Sequence, residues 1–154
     1  MSRTAIPTHF FALVIVRKGD QYLMIQETQH NQLWYLPAGG VELGETFIEA
    51  AQRETLEEGG IPIDIEGIIR IEHSPNINHT SRIRMIFIAK PKDNTPLKSL
   101  PDEHSLQAIW MTLSEIKPLP LRCPEILEWF HLVANDAPIY PLELINPMIG
   151  VNKK

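Results

Sequence analysis

The order of apolar and polar residues along the chain separates strands from helices. Five segments carry the apolar or alternating patterns of strands: residues 9–17, 22–26, 63–73, 82–90 and 106–112. Continuous apolar runs such as 9–17 are typical of strands covered on both faces, whereas alternating runs are typical of half-buried strands. Gly19, between Lys18 and Asp20, predicts a hairpin turn after the first strand, and Gly67 predicts a bulge.

Two helices are predicted between these strands and after them. Thr46 is the expected N-cap of the first helix, because Glu49 three residues later completes a capping box. Gly59 and Gly60 are expected to end this helix, since glycine adopts the left-handed cap conformation without strain. A second, amphipathic helix is predicted over residues 124–134. Strands around a central helix predict an α/β chain with a mixed sheet between helical layers.

The first helix carries an ordered cluster of acids. Glu54, Glu57 and Glu58 stand at positions i, i+3 and i+4, so their carboxylates leave one face of the helix. Like charges at this spacing destabilise a helix, and the usual compensator of clustered carboxylates is a hard divalent cation such as Mg²⁺. The preceding loop, residues 37–40, contains Gly39 and Gly40 and lets the backbone approach a ligand closely. The combination indicates a metal site.

Residues 39–61, GGVELGETFIEAAQRETLEEGGI, resemble the Nudix box of the MutT-type diphosphate hydrolases. The matching positions are Gly39, Glu45, Arg53, Glu54, Glu57, Glu58, Gly60 and Ile61. Thr55 departs from the pattern, because the family prefers an aliphatic residue there. The resemblance implies an α/β/α sandwich with a mixed sheet over about residues 9–134. We expect a single domain over residues 1–154, whose segment 137–154 is an arm that is either ordered or frayed.

The resemblance also assigns roles within the box. It implies metal-dependent cleavage of a diphosphate linkage in a nucleoside diphosphate derivative, with Glu54, Glu57 and Glu58 holding Mg²⁺ or Mn²⁺. The backbone carbonyl of Gly39 is a further expected ligand. Either Glu57 or Glu58 is the expected base that takes a proton from water. Arg53 is expected to pair with Glu45 and hold helix and loop in register, although Glu45 could simply favour the helix start.

Many family members add a carboxylate from a late loop, which here contains Glu103 and His104. His104 stands where the family's acid is expected, and Glu103 is one position away. We therefore keep Glu103 as a candidate metal ligand. His104 is either a proton acceptor near neutral pH or a solvent-facing loop residue.

Four residues outside the acidic cluster are candidates for binding the substrate. Arg82 and Arg84 share one face of a predicted strand, where they either meet substrate phosphates or lie on a solvated surface. Trp34 precedes the glycine loop and either packs in the core or forms a wall of the substrate pocket. Gly40 is a candidate because it lies in the loop itself.

The identity of the substrate depends on a narrower resemblance. The runs RIRMIFIAKP and SLQAIW within residues 82–110 are similar to Nudix enzymes that clean oxidised-guanine nucleoside diphosphates such as 8-oxo-dGDP. Nucleotide sugars, dinucleoside polyphosphates and capped RNA are alternative substrates, because the box specifies the reaction and not the leaving group. A non-catalytic nucleotide-binding module is a further alternative, which the complete set of three glutamates disfavours.

Composition and charge limit the binding partners and the cellular compartment that we expect. The 154 residues are 44% hydrophobic and 21% charged, and the net charge of −5 without a basic run argues against binding to duplex nucleic acid. The single cysteine, Cys123, excludes an intramolecular disulfide and fits a reducing compartment. The chain has neither a signal pattern nor a membrane-length apolar run. We expect a cytoplasmic protein, monomeric or homodimeric, without a membrane partner.

Overall fold

The computed structural model describes residues 3–75 and 78–145. Within this part of the chain seven strands are formed: β1 (Thr8–Lys18), β2 (Gln21–Glu27), β3 (Trp34–Tyr35), β4 (Ala38–Gly40), β5 (Ile63–Pro75), β6 (Ser81–Pro91) and β7 (Ser105–Thr112). Three α-helices accompany them: α1 (Phe47–Gly59), α2 (Leu113–Ile116) and α3 (Glu125–Ala134). The 3₁₀ turns His30–Gln32 and Leu142–Ile145 complete the described elements. None of the helices in these ranges is long and apolar enough to cross a membrane.

The strands form one mixed sheet in the order β3-β2-β1-β6-β5, with β4 paired to β1 and β7 paired to β2. β1 and β6 are parallel, and the remaining pairs are antiparallel. The β1–β2 connection is the predicted hairpin, and Gly19 at its turn has a φ of +62°. The predicted α/β fold with a mixed sheet is confirmed.

The apolar run of β1 is divided between two cores on opposite faces of the sheet. Leu13 and Ile15 pack in the cluster that contains Trp129 of α3. Ala12 and Val14 pack in the cluster that contains Ala50 of α1. Because successive strand residues point to opposite faces, a continuous apolar run is what a strand between two helical layers requires.

Helix α1 begins and ends as its sequence predicts. The Thr46 hydroxyl accepts a hydrogen bond from the Glu49 amide at 3.1 Å, and the Glu49 carboxylate accepts one from the Thr46 amide at 2.8 Å. Gly60 caps the other end with a φ of +78°. Thr55, the departure from the family pattern, is buried, and its hydroxyl donates to the Ala51 carbonyl at 2.8 Å. The hydrogen bond satisfies the polar atom, so threonine is accommodated in the core.

The C-terminal arm is ordered over its described residues, 137–145. Tyr140 exchanges two backbone hydrogen bonds with Ile68 of β5, each 2.8 Å long. The register of β5 shifts between Ile65 and Gly67, which confirms the predicted bulge. A Cβ on Gly67 would collide with the Ile139 side chain, so glycine allows the arm to approach. Of the two alternatives, these residues follow the ordered one; residues 146–154 lie outside the described residues.

Three predicted boundaries were wrong. The predicted strands 63–73 and 82–90 are longer, because β5 continues to Pro75 and β6 begins at Ser81; residues 76 and 77 lie outside the described residues. The loop predicted over residues 37–40 contains strand β4, because Ala38–Gly40 pair with β1. Pro124, expected in the first turn of the last helix, is instead its N-cap.

Candidate active site

Arg53 lies at the centre of the acidic residues of α1. Its Nε and Nη2 donate to the two carboxylate oxygens of Glu45 at 2.8 and 3.0 Å, so the predicted pair is formed. Its Nη1 donates to Glu54 at 2.6 Å and to Glu57 at 3.2 Å. Nη2 also donates to the Gly40 carbonyl at 2.9 Å, which connects strand β4 to the helix. Hydrogen bonding to Arg53 lowers the pKa of Glu45, and hydrogen bonding to Glu45 raises the pKa of Arg53.

Glu54 and Glu58 are the desolvated acids of the cluster. Burial raises the pKa of Glu54, against the opposing effect of Arg53. Burial raises the pKa of Glu58 well above its ordinary value, and the neighbouring charge of Glu54 raises it further. The hydrogen bond to Glu58 from the Ala38 amide, at 3.2 Å, compensates only in part. Two buried carboxylates with raised pKa values form a site that a cation would stabilise.

Gly39 lies against this pair of acids. A Cβ built on Gly39 would overlap the carboxylate of Glu54, so the close approach of strand β4 to the helix depends on glycine. The nearby donors are carboxylate and carbonyl oxygens, which suit a hard divalent ion. In the described residues no three His, Cys, Asp or Glu side chains already enclose one ion position. Glu54 and Glu57 are instead turned towards Nη1 of Arg53.

A cavity of about 420 Å³ lies beside Glu58. One set of lining residues, Gly39, Glu58, Glu103 and His104, adjoins the acids that Arg53 holds. The other set consists of basic, aromatic and apolar side chains, Arg82, Arg84, Arg122, Tyr35, Phe11 and Leu13, with Glu27, whose charge also acts on Glu58. Its size is that of a pocket for a small molecule. We call the two parts the acidic end and the recognition end.

The late loop is anchored to the C-terminus of α1. Lys98 Nζ donates to the Glu57 carbonyl at 2.8 Å, and the Lys98 amide donates to the Gly59 carbonyl at 3.0 Å. The Ser105 hydroxyl donates to the Glu58 carbonyl at 2.7 Å. These bonds satisfy carbonyls that a helix end leaves without partners. The hydrogen bond from Lys98 is the main reason why the pKa of Asp102 is lowered to about 2, and Asp102 in turn orders the loop.

The late-loop candidates are close to the acids but differ in exposure. His104 Nδ1 lies 3.8 Å from Glu57 Oε2, and its Nε2 lies 3.5 Å from Glu103 Oε1. Glu103 and His104 both line the cavity. The Glu103 side chain is 87% exposed and lies close to His104, whose own side chain is 39% exposed. His104 is therefore a solvent-facing loop residue that also lies near Glu57, as its position in the sequence allowed.

Arg82 and Arg84 line the cavity, so the solvated-surface interpretation was wrong. The Arg84 side chain is 11% exposed, pairs with Glu72 at 2.7 Å and lies 5.1 Å from the Trp129 ring centroid. The Nε atoms of both arginines are buried, and neither has a hydrogen-bond partner among residues 3–75 and 78–145. Buried donors without partners favour an anionic or acceptor-rich ligand.

Trp34 and Gly40 are not among the described residues that line the cavity. Trp34 is buried in the core cluster of α3, which corresponds to the core alternative, and its neighbour Tyr35 lines the cavity instead. Gly40 offers its carbonyl to Arg53. Both substrate-binding assignments therefore lack a contact with the cavity.

The sequence interpretation missed one wall of the recognition end. Arg122 Nη1 donates to Glu27 Oε1 at 2.7 Å, and its guanidinium lies 4.9 Å from the Tyr35 ring centroid. These residues come from β2, β3 and the segment before α3, and 95 positions separate Glu27 from Arg122. No local pattern relates such distant positions, so no signal in the sequence indicated this wall.

Comparison with known proteins places this geometry in a family. A model of the NUDIX domain matches residues 7–130. The chain belongs to the Nudix family. Nudix enzymes generally use divalent metal ions and act on small nucleotide substrates.

Individual relatives agree with this assignment. The human protein named 8-oxo-dGDP phosphatase NUDT18 is 37% identical over 124 residues, which cover 79% of this chain and 37% of that protein. The chain thus spans about a third of the length of the NUDT18 proteins that it matches. Phosphatase NudJ of Shigella boydii is 30% identical over 140 residues, covering 89% of this chain and 90% of NudJ.

A solved structure extends the agreement to the fold. The NUDIX hydrolase from Nitrosomonas europaea superimposes with a TM-score of 0.76 at 26% identity, covering 90% of this chain and 95% of that chain. The Nudix box identified in the sequence therefore lies in a Nudix fold.

Proposed function

We propose that this chain hydrolyses a diphosphate linkage in a nucleoside diphosphate derivative. One observation carries the proposal: a single cavity is lined both by the partly buried carboxylate of Glu58 and by Arg82 and Arg84, whose buried Nε donors have no hydrogen-bond partner among the described residues. A cation-binding end and an anion-binding end in one pocket suit a phosphate-rich substrate.

The ion in this proposal is Mg²⁺ or Mn²⁺, held by Glu54, Glu57, Glu58 and the Gly39 carbonyl. Glu103 is a further proposed ligand, because its exposed side chain lines the same cavity as Glu58. When bound, the ion neutralises phosphate oxygens and lowers the pKa of a coordinated water.

The chain's own residues supply the remaining steps. Glu57 or Glu58 takes the proton of the attacking water. Arg53 keeps the acids on one side of the helix through its bonds to Glu54 and Glu57. Arg82 and Arg84 receive negative charge or acceptor atoms of the substrate through donors that are otherwise unpartnered among the described residues.

The proposed substrate class is a nucleoside diphosphate with an oxidised purine base. The name of the NUDT18 relatives, 8-oxo-dGDP phosphatase, and the similarity of residues 82–110 support this choice. Nucleotide sugars and dinucleoside polyphosphates remain the alternative substrates, and a nucleotide-binding module without catalysis is the alternative function.

The test is phosphate release from a panel of nucleotides and nucleotide conjugates, with Mg²⁺, with Mn²⁺ and with a chelator. Glu57→Gln is assayed beside Glu66→Gln, which changes an exposed glutamate of β5. We expect metal-dependent turnover of one substrate class, lost in Glu57→Gln and retained in Glu66→Gln. A folded protein that binds a nucleotide without turning over any substrate would support the binding module instead.

A further inference from the structure

One carboxylate oxygen of Glu27 has no hydrogen-bond partner in the part of the chain that the structure describes. Arg122 donates to Oε1 at 2.7 Å, and His30 Nδ1 lies 3.5 Å from the same oxygen. Oε2 is buried and has no hydrogen-bond partner within the described ranges 3–75 and 78–145. The side chain is 12% exposed, and burial raises its pKa. A buried acceptor without a donor is costly, so a ligand that donates to it is favoured.

The surroundings of Glu27 limit the kind of donor. Phe11, Leu13 and the Tyr35 ring line the same cavity and offer apolar and aromatic surface. A phosphate would be repelled by the carboxylate of Glu27, whereas a planar ring could pack on these surfaces and direct an N–H to it. A nucleobase has this combination of flat faces and a polar edge.

We propose that Glu27 sets the base selectivity of the enzyme by accepting a hydrogen bond at Oε2 from an N–H on the edge of a purine base. Arg122 acts as a positioning residue, because it occupies Oε1 and leaves Oε2 for the ligand. This inference rests on the proposed function and adds the residue that chooses the base.

Adenine could donate from its 6-amino group, and two further purine edges carry donors that adenine lacks. Guanine carries N–H donors at N1 and at its 2-amino group. An 8-oxopurine carries a donor at N7, where an unoxidised purine has an acceptor that the carboxylate would repel. The shared requirement is an N–H directed at Glu27 Oε2, and the substrates of the test separate the two sources.

The test measures kcat/KM of the wild type, Glu27→Gln and Glu27→Ala for dGDP, dADP, 8-oxo-dGDP and 8-oxo-dADP. In Glu27→Gln we expect the single side-chain oxygen to stay with Arg122, so that an amide donor replaces the acceptor facing the base. The preference for the selected bases should fall about tenfold or more in both variants. Loss of the oxidised-over-unoxidised ratio assigns the contact to N7, and loss of the guanine-over-adenine ratio assigns it to N1 and the 2-amino group.

Controls separate this inference from folding and from the proposed function. Circular dichroism checks that both variants fold, and Glu66→Gln should keep the wild-type ratios. Unchanged base ratios in a folded Glu27→Gln variant would overturn the proposal. GDP is assayed as a further substrate, and a change confined to the ratio of GDP to dGDP would also overturn the proposal, because it would place the sugar at Glu27. If the wild type hydrolyses none of these nucleotides, calorimetric binding of the same four without metal still tests Glu27, while the proposed hydrolysis fails.

Discussion

The two ends of the cavity are built in different ways. At the acidic end, Arg53 binds four groups, and Lys98 and Ser105 cap the end of the same helix. At the recognition end, Glu27, Arg82 and Arg84 keep buried polar atoms that no described residue satisfies. The contrast teaches that hydrogen bonds within the protein hold the acids of α1 in place, whereas at the recognition end several buried polar atoms have no partner among the described residues. Under the proposed function, the first arrangement positions the reacting groups and the second leaves hydrogen bonds for the substrate to complete.

Replacing Arg53, which bonds to four groups, should cause the largest loss of stability. Arg53→Met removes the pair with Glu45 and leaves the partly buried acids Glu54 and Glu57 without their cation. We expect the free energy of unfolding to fall by about 3 kcal/mol, because removing one partner leaves uncompensated charge. Urea denaturation measures this change.

Arg122→Met is the matching substitution at the recognition end. It removes one ion pair and leaves the Glu27 carboxylate, whose side chain is 12% exposed, without its cation. We expect a loss of about 2 kcal/mol, smaller than that of Arg53→Met because one carboxylate rather than three loses its partner. Equal losses in the two variants would contradict the contrast between the ends.

Gly39→Ala tests the geometry of the acidic end with a single methyl group. The new Cβ would overlap the Glu54 carboxylate and displace it, so kcat should fall about 100-fold. Steady-state kinetics measures the loss. Gly40→Ala is the comparison, since the nearest atom to its Cβ would be the Phe10 carbonyl oxygen at 4.0 Å. A similar loss of kcat in Gly40→Ala would mean that the backbone of β4, and not the contact of Gly39 with Glu54, causes the effect.

Glu58→Gln should inactivate the enzyme yet stabilise the metal-free protein. Because burial raises the folded-state pKa of Glu58, its contribution to stability is fully present below the unfolded-state pKa of about 4.5. That contribution is lost as the pH rises through the folded-state value. The variant should therefore gain about 1 kcal/mol or more at pH 7 and nothing below pH 4. Thermal melts with a chelator at both pH values measure this, and a gain that is equal at both would contradict the charge-based explanation.

Lys98→Met should produce the smallest effect. It removes a donor from the C-terminal carbonyl of Glu57 and the partner of Asp102, so we expect a loss of about 1 kcal/mol in unfolding free energy. Lys92→Met, at an exposed position, is the control for loss of a charge. If both variants melt at the wild-type temperature, the contacts between the late loop and α1 do not contribute to the free energy of unfolding.

The acidic end was largely predictable, because its determinants are local. The spacing of Glu54, Glu57 and Glu58, the capping box at Thr46 and the glycine cap at Gly60 all lie within one helix and its ends. The sheet was predictable for a similar reason, since each strand carries its own apolar pattern.

The recognition end was not predictable, because it depends on contacts between distant segments. Tyr35 follows Trp34 directly, and only the strand pairing decides which of the two faces the cavity. The contact of Glu27 with Arg122 and that of Lys98 with α1 arise from the folded chain, and neither has a sequence spacing of its own.

The bridge between Tyr140 and Ile68 has a consequence for other copies of the chain. β5 is the last strand of the sheet, and a free strand edge is a template on which another chain can add a strand. The arm occupies the hydrogen-bonding groups of Ile68 at the bulge beside Gly67, which interrupts that edge. The nine described residues of the arm thus hinder the addition of a strand from another chain at this point of β5. A bulky residue at Gly67 would displace the arm and expose this edge again.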